Sequence, residues 1–177
     1  MFIHRLGGRD SDGSQAVLSR WTFEAEQIRS VVEDHLRGRV LNATAGRTRL
    51  AHEPVVRNDI NPDLPADSHV NIQQADDRWP THSFETVVFD PPFDEGQADE
   101  RYGGWHAAEF PAAREALAPL VRPGGMAISL GWTIYGFAEQ FDGWVREELH
   151  IYQRGPVHPD VFLLVERRVQ RTLSMWD

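Results

Sequence analysis

The sequence predicts an α/β fold: a seven-stranded, mostly parallel sheet with an antiparallel final strand and helices on both faces. Three observations predict it. Short β-branched, apolar segments alternate along the chain with segments of helical period. Four strand-like segments finish in polar or acidic residues, as expected where an α/β sheet gathers its ligand chemistry at the carboxyl edge. The last two apolar segments are joined through Gly155-Pro156, a short connection that favours an antiparallel pair. A chain of 177 residues suits one domain, expected over 22–177 after an N-terminal arm at 1–21.

The arm, rich in Gly, Ser, Asp and Arg, shows no period. From Thr22, Ile28, Val31, Val32 and Leu36 fall at helical spacing, and Gly38 is placed to end that helix. Arg39-Val40-Leu41-Asn42-Ala43 reads as a buried strand followed by a small-residue turn, Thr44-Ala45-Gly46. Pro54-Val55-Val56-Arg57-Asn58 leads to Asp59, and Asn61-Pro62 breaks the chain. Val70 to Gln74 reads as a weaker strand ending at Ala75-Asp76-Asp77. Phe84 to Phe89 is the next strand. The polar stretch 94–104 reads as a surface loop or a lid. Pro111 to Leu120 is an alanine-rich helix stopped by Pro123-Gly124-Gly125, and Met126 to Leu130 is the fifth strand. Phe137, Phe141 and Trp144 suggest a helix over 135–146. Glu148 to Tyr152 and Val161 to Val165 are the closing strands.

Composition narrows the function. All 18 basic residues other than histidine are arginine, set against 27 Asp+Glu for a net charge of −9. Acidity without lysine resembles proteins of salt-loving archaea or their viruses; a GC-rich genome also explains the arginine. Any nucleic-acid contact then relies on shape, stacking and local arginines. The absence of cysteine excludes disulfides, thiolate metal sites and cysteine nucleophiles. No apolar run approaches membrane-spanning length and no signal peptide is visible, so a cytoplasmic protein without membrane contact is expected.

The most informative stretch is Asp90-Pro91-Pro92-Phe93, which closes the fourth strand. Two prolines remove two backbone donors and fix two φ angles, leaving a rigid array of carbonyl acceptors beside a carboxylate and an aromatic ring. That set suits a planar substrate presenting an exocyclic amino group. The plain alternative is a strand ended by a proline turn.

Taken in order, the segments over roughly 39–166 resemble the class I S-adenosylmethionine-dependent methyltransferases, and among them the nucleic-acid amino-methyltransferases with an Asp-Pro-Pro-Tyr/Phe motif. The series is Leu41 to Gly46, Asp59-Ile60-Asn61-Pro62, Asp76, Asp90 to Phe93, and Pro123-Gly124-Gly125. The resemblance implies a Rossmann-like methyltransferase sheet and S-adenosyl-L-methionine as cofactor. It implies cofactor contacts from Asn42, Ala43, Thr44, Ala45 and Gly46, ribose binding by Asp59, and adenine binding near Ile60 by Asp76 or its neighbour Asp77. It assigns Asp90, Pro91, Pro92 and Phe93 to catalysis. Two departures stand out. The first motif is Ala-Thr-Ala-Gly, and the stretch from Gly46 to the next strand is shorter than the ~10 to 12 residues a crossover with its own helix needs. There is also no inserted target-recognition region.

The implied activity is methyl transfer to a base amino group, with adenine N6 in DNA first because the motif begins with Asp. Guanine N2 in rRNA or tRNA is the alternative. A cofactor-binding or scaffolding subunit without catalysis is the reading of another class. Partners expected are nucleic acid, DNA ahead of RNA, and a specificity subunit or a second copy of the chain. No metal site is expected. His150, His158 and Asp160 lack a recognised ligand spacing, and Leu64 occupies the position where a calcium loop opened by Asp59, Asn61 and Asp63 would need glycine.

Overall fold

The computed structural model describes residues 1–6, 22–91, 110–156 and 158–169. Seven strands form one sheet: β1 (Phe2–Arg5), β2 (Val40–Asn42), β3 (Val55–Arg57), β4 (Phe84–Phe89), β5 (Val121–Gly131), β6 (Trp144–Gln153) and β7 (Val161–Arg168). Their spatial order is β1-β6-β7-β5-β4-β2-β3. β7 runs antiparallel to β5 and β6; the remaining pairs are parallel. The carboxyl ends of β2, β3, β4 and β5 therefore open on one edge.

Side chains alternate between two cores, following the two-residue period of a strand. Leu41, Val87, Phe89 and Ala127 enter one core with Ile72, Ala75, Trp79, Ala113 and Leu117. Val40, Val88, Ile128 and Leu163 enter the other with Ile28 and Val32. Helix α1 (Glu26–His35) covers the second face, with Ile28 and Val32 fully buried, each worth about 1.5–3 kcal/mol of transfer free energy. Helices α2 (Ala75–Arg78), α3 (Phe110–Leu117) and α4 (Phe137–Gln140) lie with the first face. The chain leaves α1 through Gly38 at φ +54°, where a Cβ would stand 2.5 Å from the Glu85 side chain.

Three expectations need correction. The strand read at Val70–Gln74 is a single 3-10 turn, Ile72–Gln74, running into α2. Its apolar residues Ile72, Ala75 and Trp79 have helical spacing and pack as one stripe. What remains beside β3 is one parallel bridge, Asn58 to Ser68. The seventh strand comes instead from the start of the segment read as an arm: Phe2–Arg5 pairs in parallel with His150–Gln153. There Phe2 and His4 stack on His150, and His4 also stacks on Tyr152. The helix read over 135–146 shrinks to α4, because Gly143 at φ +82° turns the chain into β6. Phe137 and Trp144 still meet, with ring centroids 4.9 Å apart across that turn.

Candidate functional site

The carboxyl edge is built first by the turn after β2. Residues 47–54 contain no helix, so the turn is held instead by side chains at and just past the end of β3. Gly46, at φ +53°, donates its N–H to Asp59 Oδ2 at 2.8 Å, while its carbonyl accepts from Arg57 Nη2 at 3.0 Å. Arg57 and Asp59 are both buried. Burial and the nearby Arg49 lower the Arg57 pKa, against the attraction of Asp67 and Asp59. Asp59 Oδ1 accepts from the Asn61 N–H at 3.0 Å.

Asn58 does the work that pairing with a further strand would have done. Its amide donates to Ala43 O and Val70 O and accepts from Ser68 Oγ and the Val70 N–H, all within 3.0 Å. The loop 67–70 is thereby fixed against the β2 turn.

At the end of β4, the Asp90 N–H donates to Thr44 Oγ1 at 2.9 Å, joining this end to the β2 turn. Asp90 keeps some exposure as a residue, yet its Oδ1 is buried and has no hydrogen-bond partner among the described residues. Burial pushes the carboxyl up to about 7, opposed by a hydrogen bond from Thr22. Pro91 is buried beside it. One strand over, Asn42 is buried with neither Oδ1 nor Nδ2 partnered among the described residues. Asn42 pairs in register with Val88, so it lies on the same sheet face as Asp90, two residues further along β4. Buried polar groups without partners are uncommon in folded proteins; among the described residues, Asn42 and Asp90 both carry one on this face of the edge.

The structure brings together Asn42, Ala43, Thr44, Ala45, Gly46, Asp59, Asp90 and Pro91. Ile60 is half-buried next to Asp59. Asp76 and Asp77 are exposed in the first turn of α2. Pro92, Phe93 and the 94–104 loop lie outside the described residues. Reading the sequence missed Thr22, Arg57 and Asn58. An Arg-Asn-Asp run closing a buried strand is the signal that could have marked the last two, since such side chains are seldom buried unless they hold backbone.

The donor set fits a cofactor with an amino-acid moiety and a ribose. Asn42 offers an amide, without a partner among the described residues, that both donates and accepts, Gly46 allows close backbone approach, and each Asp59 oxygen keeps a lone pair after its backbone hydrogen bond. Among the described residues no cluster of three or more metal-ligating side chains exists, and no helix is long and apolar enough to cross a membrane.

No protein-family model and no curated protein matches the chain. Solved structures match its fold. TrmN from Thermus thermophilus aligns at 14% identity and a TM-score of 0.59, over 85% of this chain and 50% of that one. The 1,6-didemethyltoxoflavin-N1-methyltransferase of Burkholderia thailandensis, with 1,6-didemethyltoxoflavin and S-adenosylhomocysteine bound, aligns at 14% identity and 0.59, over 86% and 82%. The N-methyltransferase NodS of Bradyrhizobium japonicum aligns at 15% and 0.54, over 84% and 97%. The chain thus has the Rossmann-like fold of these methyltransferases.

Proposed function

We propose that the protein transfers a methyl group from S-adenosyl-L-methionine to the exocyclic amino group of a nucleic-acid base, adenine N6 in DNA. The observation that carries this reading is the buried Asp90 Oδ1, which has no partner among the described residues, at the carboxyl end of β4 next to Pro91. An acceptor in that position is satisfied by an amine N–H, and the Pro91 carbonyl supplies a second acceptor that its ring holds rigidly. The N-methyltransferases among the structural neighbours support a nitrogen acceptor.

The cofactor, when bound, supplies an electrophilic methyl group on a sulfonium. Asn42 and the Gly46 turn would hold its amino-acid portion, and Asp59 its ribose. Asp76 or Asp77 would approach its adenine. Asp90 and the Pro91 carbonyl then perform two tasks on the acceptor. Accepting the amine hydrogens localises a lone pair otherwise delocalised into the ring and orients it, which lowers the barrier by positioning and by electrostatics set in advance. A carboxyl raised to about 7 is also a better sink than an ordinary aspartate for the proton the amine gives up. Phe93 would stack on the base, and a base in duplex DNA would have to be extruded to reach this edge.

The test is methyl transfer from labelled cofactor to duplex DNA, rRNA and tRNA, followed by nucleoside analysis. Label in N6-methyladenine from DNA supports the reading. Label confined to N2-methylguanine from RNA replaces the acceptor, and cofactor binding without transfer to any of them favours a scaffolding subunit.

A further inference from the structure

The turn that carries the chain from β5 into α4 presents two large apolar side chains to solvent. Ile134 and Tyr135 are 50% and 47% exposed, yet the backbone that carries them is held on several sides. The Ile134 carbonyl accepts from Arg146 Nη2 on β6 at 2.6 Å, and the Tyr135 carbonyl from Arg114 Nη1 on α3 at 3.3 Å. The Tyr135 N–H donates to Thr133 Oγ1 at 3.1 Å. Arg114 is itself buried and fixed through Nε to Gln140 Oε1 at 2.6 Å. Apolar side chains scattered singly over a surface need no explanation. An adjacent pair on a turn fixed in this way is ready for a partner, because little backbone ordering remains to oppose binding.

The place of the turn says what that partner is. Pro91 and Tyr135 line one notch with Phe89, Phe110 and Arg114, so Tyr135 stands beside the acceptor turn, on its β5 side, rather than at the amine clamp itself. The Arg114 guanidinium lies over the Tyr135 ring, 5.3 Å from its centroid, and the remainder of the residue is open to solvent. A flat ring backed by a cation on one side and exposed on the other suits a nucleic-acid base, since every base has a π-face to stack. Charge permits the approach. The two carboxylates of this neighbourhood, Glu139 and Glu166, both pair with Arg146, and Arg114 feels both as well. Two carboxylates are thus balanced by two guanidinium groups on a chain whose net charge is −9, where phosphate contacts alone would contribute less.

Resting on the base-methylation reading, we infer that Tyr135 is a stacking platform for the nucleotide next to the target, with Ile134 extending the apolar contact. The pair holds the strand beside the acceptor turn and takes no part in bond making.

The experiment compares wild type, Tyr135→Ala and Tyr135→Phe on duplex DNA carrying the methylated adenine, either intact or with an abasic residue as its 5′ or its 3′ neighbour. Main-chain carbonyls make the contacts of the turn with Arg114 and Arg146, so the fold and the cofactor affinity should persist in both variants. Tyr135→Ala should raise KM for DNA about tenfold, the effect of one stacked base, with kcat at saturating DNA unchanged. Tyr135→Phe keeps the ring and should keep the wild-type KM. Wild type should lose a similar factor on one of the abasic substrates, and Tyr135→Ala should no longer distinguish that substrate from intact DNA. A wild-type KM in Tyr135→Ala, an effect confined to kcat, or an undiminished penalty for the abasic neighbour in that variant overturns this inference alone. So does a Tyr135→Ala protein of smaller oligomeric mass with unchanged DNA affinity, which would make the patch a protein interface. A wild-type protein that binds cofactor yet methylates no DNA overturns the inference together with the base-methylation reading.

Discussion

Replacing Asp90 with asparagine is expected to make the protein more stable at alkaline pH while removing its proton sink. Burial lifts the Asp90 carboxyl from 3.8 to about 7. Between those values the folded protein retains a proton that the unfolded chain has released, so stability falls as pH rises across the window. The contribution is fully present below about pH 3.8 and has been lost once the pH passes about 7. At about 1.36 kcal/mol per pH unit, the ionised carboxylate costs on the order of 4 kcal/mol at pH 8. Asparagine escapes that cost but buries an amide donor of its own, so the expected net gain is about 1–3 kcal/mol. For a domain of this size that corresponds to a rise of roughly 2–10 °C in Tm. Thermal denaturation followed by circular dichroism at pH 4, 6 and 8, at constant ionic strength, reads it directly. Asp90→Asn should be less stable than wild type near pH 4, where only the cost of its buried amide remains, and more stable at pH 8, so the difference changes sign between the two. A variant less stable than wild type at pH 8, or a gap independent of pH, would refute the account of Asp90 as a desolvated carboxyl.

Three further outcomes are expected. Asp59→Ala removes the acceptor of the Gly46 N–H and should weaken cofactor binding at least tenfold by calorimetry; unchanged affinity would separate the β2 turn from the cofactor. Glu166, fully buried, accepts from the N–H groups of Phe137 and Ala138 at 2.8 and 3.1 Å and pairs with Arg146 at 3.3 Å. Glu166→Ala should therefore cost about 3 kcal/mol, measured by chemical denaturation. Burial first, and His150 second, hold the His4 pKa below its ordinary value. The unfolded segment therefore binds protons that docked β1 resists, and stability that is complete above about pH 6.5 is lost on acidification. Amide exchange in β1 should accelerate between pH 7 and 5 relative to β7, and His4→Phe should abolish that difference.

The central part of the sheet was legible because its signals are local. Phe84–Phe89 alternates and is β-branched, and the double proline stops it where the strand ends. Gly38 and Pro111 punctuate α1 and α3 near where they were read. The edges were less legible. Phe2–Arg5 is too short to announce a strand, and its docking depends on stacking with His150 and Tyr152, about 150 residues away. Val70–Gln74 has strand-like composition, but Asn71 caps a helical turn by accepting from the Gln73 N–H at 3.1 Å, and the Ile72, Ala75, Trp79 stripe then decides for helix. At the site, the strand-end position of Asp90-Pro91 and the Gly46 turn were readable from residue type and order. The clamp by Arg57 and Asp59 was not, because it exists only after β2 and β3 pair. The same short connection that looked like a defect in the first motif explains why side chains hold that turn in place of a helix.

The central claim is tested most directly by measuring cofactor binding and methyl transfer to DNA in parallel for wild type and Asp90→Ala. The account predicts unchanged cofactor affinity in the variant and transfer reduced at least a thousandfold, on the order of the loss of a group that both orients the acceptor and takes its proton. Turnover retained in Asp90→Ala would contradict it, and Asp90-Pro91 would then be no more than the turn that ends β4.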